Sequence, residues 1–475
     1  MTRDTTEVGS AKREVAVIAL MTLSKFSMSC DFYIMSLILP SIGRDLHLSQ
    51  VMVSWVVAAQ GLFFAGFMVL AGRLADILGQ RRALASGLCV FAVGAVAAAL
   101  AQNVWWLIAA RCLQGLGAAI LAPAAFSLIT TLLPEGPSRH RALGVFSLTQ
   151  GLSVIAGLLV AGALVGVFGW RAGFLINVPL LLVALYMTLR IVPKGPIGAA
   201  GQKLDVAGAV LITLSTALLL GSITIIGRYG VASPLGLGLL AAAVVGGVAF
   251  VAVERRVAAP LAPLDLVRRP SVIGSCLTGM GLIAAGGGVM VVTNFYMQSE
   301  LKYSILVAGI AILPYAAGIL LSGPAVPWLM ARLSSTTILI GCVIIAIAGM
   351  VTLSFVSSEH SYLLTIAPGL VLSSFGAITA WAGLMNWATR DVPAQQQGVT
   401  SGMLLMFQQL GVPLGAAVML SILGGHAGEG SSVYQTAYLT AAGFATAGLV
   451  AALVSVRAAG RLAAARLAGR AAGEL

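Results

Sequence analysis

The chain has 475 residues, of which 59% are hydrophobic and 9% are charged. A soluble domain carries about 25% charged residues, so this composition excludes an ordinary soluble fold and predicts a chain embedded in lipid. The formal charge of +12 does not indicate nucleic-acid binding, because the cations form short clusters between apolar runs. No soluble segment between these runs is long enough to build a nucleic-acid-binding module.

Fourteen apolar runs follow one another along the chain, and each is long enough for a bilayer-spanning helix of about 20 residues. The gaps between them are short, and none would hold a globular domain. The sequence therefore predicts an all-α, polytopic membrane protein with fourteen transmembrane helices. The predicted spans lie near 15–40, 51–72, 83–102, 104–132, 142–167, 170–192, 205–227, 233–253, 271–298, 305–331, 336–357, 362–387, 397–424 and 434–457.

Basic residues orient these spans, because loops on the cytoplasmic side carry an excess of Lys and Arg. With the N-terminus placed in the cytoplasm, every predicted cytoplasmic segment contains Lys or Arg, whereas the outer loops hold only Arg44, Arg171, Arg228 and Lys302. A missed helix would reverse this bias further along the chain, and no reversal occurs. Both termini are therefore predicted to be cytoplasmic.

Three charged side chains fall inside predicted spans, namely Lys25 and Asp31 in the first and Arg111 in the fourth. A charge in hydrocarbon costs roughly 2.5–3.5 kcal/mol on insertion scales, so each is a functional candidate. At 1.5 Å per residue, the predicted depths of Asp31 and Arg111 agree to within ~3 Å. The two side chains meet if spans 1 and 4 are neighbours. Lys25 is six positions from Asp31 and does not share its helix face.

The segment between spans 2 and 3 carries a motif that includes Gly72, Asp76, Gly79, Arg81 and Arg82. It resembles the G-x-L-A-D-x-x-G-x-R-R signature of the major facilitator superfamily. The glycines allow close helix contact, and the arginines stay at the anionic inner leaflet. The resemblance implies that this loop latches the cytoplasmic gate when a carrier opens outward.

Further motifs resemble the fourteen-helix drug:proton antiporter branch of that superfamily. They are the Arg-x-x-Gln-Gly-x-Gly-Ala-Ala run at 111–119, the Asp-to-Pro stretch at 31–40, Trp170-Arg171 with Phe-Leu-Ile-Asn-Val-Pro at 174–179, and Leu-Asp-Val-Ala-Gly at 204–208. The chain departs from the branch in span 5, where the proline after Gly157 is missing. Gln60 and Gln408 also stand where a tyrosine and an arginine are usual.

The resemblance implies a major facilitator fold of two six-helix bundles with two extra helices between them. The expected domains are an N-terminal bundle at 1–200, two linker helices at 201–256 and a C-terminal bundle with a short basic tail at 257–475. A weak internal repeat, in which 144–147 resembles 398–401, agrees with this division.

The function implied is proton-coupled efflux of small amphipathic organic compounds, such as drugs or antibiotics, across the bacterial cytoplasmic (inner) membrane. The expected partners are the small organic substrate, protons and the lipid bilayer, without nucleic acid, and the carrier is expected to be a monomer. The proton gradient is the expected energy source, and we expect no cofactor and no metal. Uptake or facilitated transport of a metabolite on the same fold is the alternative, which the missing span-5 proline favours. An enzyme is not expected, because no histidine has a carboxylate or cysteine at catalytic spacing.

Asp31 and Arg111 are the predicted proton-coupling pair. Burial favours the neutral form of a carboxyl group and a nearby arginine favours its charged form, so access of water or substrate can switch it. Arg111 is too basic to carry the proton itself. The alternative is a static buried pair that orients helices.

Ligand sites are mostly apolar with a few placed polar groups, and several side chains within the spans fit that description. For each, helix packing is the alternative role, and Lys25 could instead reach a water-filled crevice. The substrate-binding candidates are Lys25, Tyr33, Trp55, Gln60, Phe64, Gln150, Asn294, Gln298 and Gln408.

Overall fold

Helices make up nearly all of the chain in the computed structural model. The structure describes residues 3–132, 137–193, 205–230, 232–257, 260, 264–356, 362–393, 396–425 and 431–473. No strand occurs among these residues. This agrees with the sequence, because a backbone in lipid must satisfy its hydrogen bonds within one segment or within a closed barrel.

The helices follow the predicted spans, and the first and last of them extend furthest beyond the predicted ends. The first seven are α1 (Arg3–Asp45), α2 (Gln50–Leu78), α3 (Gln80–Ala99), α4 (Val104–Leu132), α5 (Pro137–Phe168), α6 (Trp170–Leu175) and α7 (Asn177–Ile191). Three helices follow, α8 (Val206–Tyr229), α9 (Pro234–Glu254) and the short α10 (Leu264–Val267). The remainder are α11 (Pro270–Phe295) with a π-helical turn at Tyr296–Glu300, α12 (Ile305–Ala311), α13 (Leu313–Met330), α14 (Ser335–Leu353), α15 (Ile366–Thr389), α16 (Gln397–Gly425) and α17 (Ser431–Gly473).

Within the described part of the chain, fourteen helical segments account for the predicted spans. Thirteen of these described segments are long and apolar enough to cross a membrane, and α2 contributes a shorter apolar stretch at Met52–Met68. Two predicted spans are each built from two consecutive helices, α6 with α7 and α12 with α13. The chain is therefore a multi-pass membrane protein, as the hydropathy predicted. The cytoplasmic location of the termini stays a prediction.

Helix contacts gather the chain into neighbouring groups. In the first part, α1 packs against α4, α5 and α7, while α4 packs along α2 and α3. In the last part, α11 packs along α15, α16 and α17, and α14 packs along α15. Helices α8 and α9 pack on each other, and α8 also contacts α2 and α16. The predicted domain limits remain predictions, and residue 200 lies outside the described residues.

Glycines set the closest helix approaches, as expected where lipid supplies no hydrophobic driving force between helices. A side-chain carbon added at Gly115 would lie 2.4 Å from the Gln60 carbonyl oxygen on α2. At Gly117 it would lie 2.5 Å from the Phe91 amide nitrogen on α3. The two glycines of the 111–119 motif therefore let α4 fit between α2 and α3.

Two glycines on α16 provide a test of close packing. A methyl group at Gly415 would lie 2.0 Å from the Ala284 carbonyl oxygen on α11, whereas at Gly402 it would meet nothing within 4 Å. Alanine is favoured over glycine by roughly 1 kcal/mol inside a helix. We expect Gly415→Ala to lower the melting temperature of the purified protein in spite of this preference, and Gly402→Ala to leave it unchanged or raised. Equal melting temperatures for the two variants would contradict the close contact.

Candidate functional site

A buried ion pair joins α1 to α4. The guanidinium Nη1 of Arg111 donates to Asp31 Oδ2 at 2.9 Å, and both residues are only 2% exposed. The structure therefore brings together the two intramembrane charges that the predicted depths placed at one level. A buried ion pair gains from its mutual attraction only if further hydrogen bonds satisfy both groups.

Two glutamines supply such bonds to Asp31. Gln114 Nε2 donates to Asp31 Oδ1 at 3.1 Å, and Gln60 Nε2 donates to Asp31 Oδ2 at 3.1 Å. Arg111 in turn donates to Gln114 Oε1 at 3.0 Å and through Nε to the Val56 carbonyl at 3.3 Å. Three helices, α1, α2 and α4, thus meet at one carboxylate. Gln60 was expected among the substrate-binding candidates, and here its amide bonds the charged pair.

A different face of α1 carries a second polar group. Gln150 on α5 donates to the Tyr33 hydroxyl at 3.1 Å and accepts from Ser29 at 3.2 Å. Residues 29 and 33 are one helical turn apart and share a face. This face meets α5, whereas Asp31 meets α2 and α4, so one helix carries both sites on different sides.

The same helix contacts the last part of the chain near its Pro40 end. Gln298, in the π-helical turn, donates to the Leu37 carbonyl at 2.8 Å. Asn294 donates to Ser36 Oγ at 3.5 Å and to its own helix at Met290 O, 2.9 Å away. Single-turn π-helices recur at functional sites. Both Asn294 Oδ1 and Gln298 Oε1 are buried without a partner among the described residues.

Three predicted binding residues lie away from these groups. Trp55 lies near α8, at 3.6 Å from the position of a side-chain carbon on Gly221. Phe64 packs at the edge of the apolar cluster that includes Leu84 and Leu88. Gln408, on α16, packs against α11 beside Gly279.

Lys25, a fourth predicted binding residue, lies on the same side of α1 as Tyr33. It is half-buried and one turn before Ser29.

The predicted gating motif forms the junction of α2 and α3. Gly79 has a φ of 79°, in the left-handed region that favours glycine, and separates the two helices. The Arg81 guanidinium donates to the Leu189 carbonyl on α7, while Arg82 is exposed. The surroundings of Gly72 and the side chain of Asp76 lie outside what the structure describes.

Several polar residues of these groups were missed from the sequence as site residues. Gln114 lies inside the 111–119 motif, and its position one turn after Arg111 was a signal that it bonds the same partner. Ser29 and Ser36 share a helix face with Tyr33, but isolated serines in membrane helices commonly bond their own backbone. Sequence spacing alone does not distinguish those two cases.

The chain matches the family model of the Major Facilitator Superfamily over residues 21–416. It is 34% identical over 454 residues to the cephamycin export protein CmcT of Amycolatopsis lactamdurans, covering 92% of this chain and 91% of that protein. It is 32% identical over 461 residues to the lincomycin resistance protein of Streptomyces lincolnensis, covering 96% and 94%.

The fold is similar to solved membrane transporters. A bacterial homologue of the human drug peptide transporters PepT1 and PepT2 superposes with a TM-score of 0.67, at 14% identity, over 94% of this chain and 99% of that chain. At such low identity the likeness concerns the fold alone.

The energetics of the ion pair can be tested by removing one partner or both. Arg111→Met would leave the Asp31 carboxylate buried without its cation, which typically costs about 3 kcal/mol or more. Adding Asp31→Leu to that variant removes the unpaired charge, so we expect the double variant to regain most of the lost free energy of unfolding. Chemical denaturation of the purified proteins measures both. A double variant as unstable as Arg111→Met would contradict a paired buried charge.

Proposed function

This chain belongs to the major facilitator superfamily, and we propose that it is a proton-coupled exporter of small amphipathic organic compounds such as antibiotics. It is a membrane transporter and not an enzyme. The single observation that carries the proposed coupling is the buried, hydrogen-bonded Asp31–Arg111 pair. The full-length similarity to a cephamycin export protein and a lincomycin resistance protein supports the direction and the class of cargo.

Asp31 suits a proton carrier because its charged form is balanced by bonds that protonation would change. As a carboxylate it accepts from Arg111, Gln114 and Gln60. A protonated carboxyl group becomes a donor on one oxygen, so an amide that donates there must turn to present its own oxygen. Gln60 is half-buried, which gives its amide room to turn and gives the carboxyl group a way to exchange a proton.

Coupling follows from the two faces of α1. The proton site holds α1 to α2 and α4, while the face with Tyr33 contacts Gln150 and the Pro40 end contacts Gln298. Neutralising Asp31 removes the attraction to Arg111 and so changes how firmly α1 is held in its bundle. Because α1 also lines the boundary between the two bundles, that change alters the relative stability of the two access states.

The cargo site in this proposal is the boundary between the bundles around Tyr33, Gln150 and Asn294, with Lys25 at its predicted inner end. The aromatic ring and the amides suit an organic molecule with a few polar groups. In the described part of the chain, Asp31 is the acid buried in the middle of a membrane helix, and it is paired with Arg111. Neutral, zwitterionic or weakly anionic cargo therefore fits better than polyvalent cations.

Substitution of Asp31 tests the coupling. In Asp31→Asn the side chain keeps its size but cannot bind and release a proton, so we expect proton-driven efflux to be lost in reconstituted vesicles while folding is retained. Asp45→Asn is the matched control, since Asp45 is on the same helix in a half-exposed pair with Arg171, and such pairs contribute about 0–1 kcal/mol. Undiminished proton-driven efflux in Asp31→Asn, or efflux that is unchanged after the gradient is collapsed, would rule the proposal out.

Alternating access is tested at a close contact of α5 with α12, near the Pro40 end of α1. A side-chain carbon at Gly309 would lie 2.7 Å from the Leu158 carbonyl oxygen, whereas at Gly323 it would meet nothing within 4 Å. We expect the leucine side chain of Gly309→Leu to hold α5 and α12 apart at this end. Labelling of Ser36→Cys by a membrane-impermeant thiol reagent should then be about tenfold faster, which corresponds to about 1.4 kcal/mol.

The labelling is done in intact cells, with the five native cysteines replaced by serine. Gly323→Leu is the control and should leave the rate unchanged. Equal labelling in the two variants would contradict a closed contact at the outer end.

A further inference from the structure

Asn177 is a buried side chain that the proposed mechanism leaves unused. It is 0% exposed, and neither Nδ2 nor Oδ1 has a hydrogen-bond partner among the described residues. An unpaired buried amide destabilises a fold, and this one has both of its polar atoms unpaired. A hydrogen-bond partner in another state of the protein would remove that cost.

The helical turn that precedes Asn177 lies beside the ion pair. The Arg111 Cζ atom lies 5.9 Å from the centre of the Phe174 ring, and Phe174 is one helical turn before Asn177. A side-chain carbon added at Gly173 would lie 3.0 Å from Ile34 Cγ2, and Ile34 is one turn after Asp31. The linking residue Ile176 has helical angles, φ −53° and ψ −40°, so the turns of α6 and α7 run on continuously.

The orientation of α7 agrees with this placement. Its buried residues recur at helical spacing and form one stripe, which begins with Asn177. Helix α7 packs against α1 and α3, so the stripe faces the interior of the first bundle. The residues of this stripe are Asn177, Leu181, Ala184 and Thr188.

Arg111 needs a further acceptor whenever Asp31 is neutral. Within the described part of the chain, its hydrogen bonds use Nε and Nη1, and they go to Asp31, Gln114 and Val56. An arginine has five N–H donors and stays charged. Protonation of Asp31 would therefore leave a buried cation with two weaker acceptors, which is an unfavourable state.

We infer that Asn177 is a positioning residue of the proton site, whose amide oxygen receives the Arg111 guanidinium when Asp31 is neutral. This inference rests on the proposed function of Asp31. While Asp31 is charged, Arg111 bonds to it, and the Asn177 amide has no hydrogen-bond partner among the described residues. In the neutral state the guanidinium turns toward α7, so the proton is bound without leaving an unpaired cation.

Few other charges bear on this site in the described residues. Helix α2 presents the neutral Gln60 and α3 presents Phe91 and Gly94. The ionisable thiols next in sequence are Cys30, beside Asp31, and Cys112, beside Arg111. Arg171 on α6 is engaged with Asp45 at the far end of α1. A change in pH dependence after substitution of Asn177 would therefore report on Asp31 and Arg111.

A melting-temperature cycle on the full-length purified protein tests the contact without measuring transport. Asp31→Asn imitates the neutral state, so we expect Asn177→Leu to lower the melting temperature of Asp31→Asn by several degrees more than that of the wild type. If the Asn177 amide had no partner in either state, an apolar residue of similar size would instead stabilise both backgrounds equally. Equal shifts in the two backgrounds would overturn the inference.

Thr379→Val on α15 is the matched control, because Thr379 is also 0% exposed with an unpaired Oγ1, but lies in the other bundle. It should shift both backgrounds equally. If Asn177→Leu does not accumulate, Asn177→Asp replaces it. A carboxylate at 177 should pair with Arg111 and raise the melting temperature of Asp31→Asn, whereas a fall as large as in the wild type would overturn the inference.

The pH profile of efflux supplies the functional readout. Without Asn177 the neutral state lacks an acceptor for Arg111 on α7 and is less populated, so efflux needs a higher proton concentration. We expect the half-maximal pH of efflux by Asn177→Leu to move about one unit to acid, a tenfold change in proton concentration. Thr379→Val should not move it, and an unmoved profile in Asn177→Leu would overturn the inference. Failure of the proposed function would instead appear as proton-driven efflux by Asp31→Asn, whatever the melting cycle gives.

Discussion

The pairing of Asp31 with Arg111 is the interaction on which the first bundle depends. Both charges are taken out of water, and the attraction between them offsets that cost only because glutamine side chains on α2 and α4 form three further hydrogen bonds, two donated to Asp31 and one accepted from Arg111. Helices α1, α2 and α4 must therefore keep one relative depth and rotation. A bond network of this kind ties the three helices to one carboxylate, and the proposed proton coupling depends on it.

Close packing makes the pairing possible. Gly115 and Gly117 allow α4 to lie against α2 and α3 at once, and this brings Arg111 within reach of both Asp31 and the Val56 carbonyl. In lipid, helices associate through van der Waals contact and polar bonds because the tails are as apolar as the side chains. The small residues of the 111–119 motif thus support the charged residue that begins it.

Helix α1 links the Asp31–Arg111 pair to the rest of the molecule because its polar residues lie on different faces. Asp31 faces α2 and α4, Ser29 and Tyr33 face α5, and Leu37 accepts a bond from the π-helical turn after α11. A helix is stiff along its axis, so a change in how one face is held is felt at the others. The Asp31–Arg111 pair and the Tyr33 group are thus connected through one helix, without a long chain of intermediate residues.

The membrane class, the number of spans and the common depth of Asp31 and Arg111 could be predicted from the sequence, because hydropathy and helix rise are local properties. That the two side chains meet also requires α1 and α4 to be neighbours, which the tertiary structure decided. The close packing of α4 through Gly115 and Gly117 was decided by the tertiary structure. Only the tertiary structure decided that Gln60 bonds the ion pair and that Trp55, Phe64 and Gln408 pack away from the Tyr33 group. It also decided that the Asn177 amide is buried without a hydrogen-bond partner among the described residues. Each of these depends on the rotation of one helix about its axis relative to its neighbours, and in a helix that is apolar on nearly every side the sequence carries no periodic signal for that rotation.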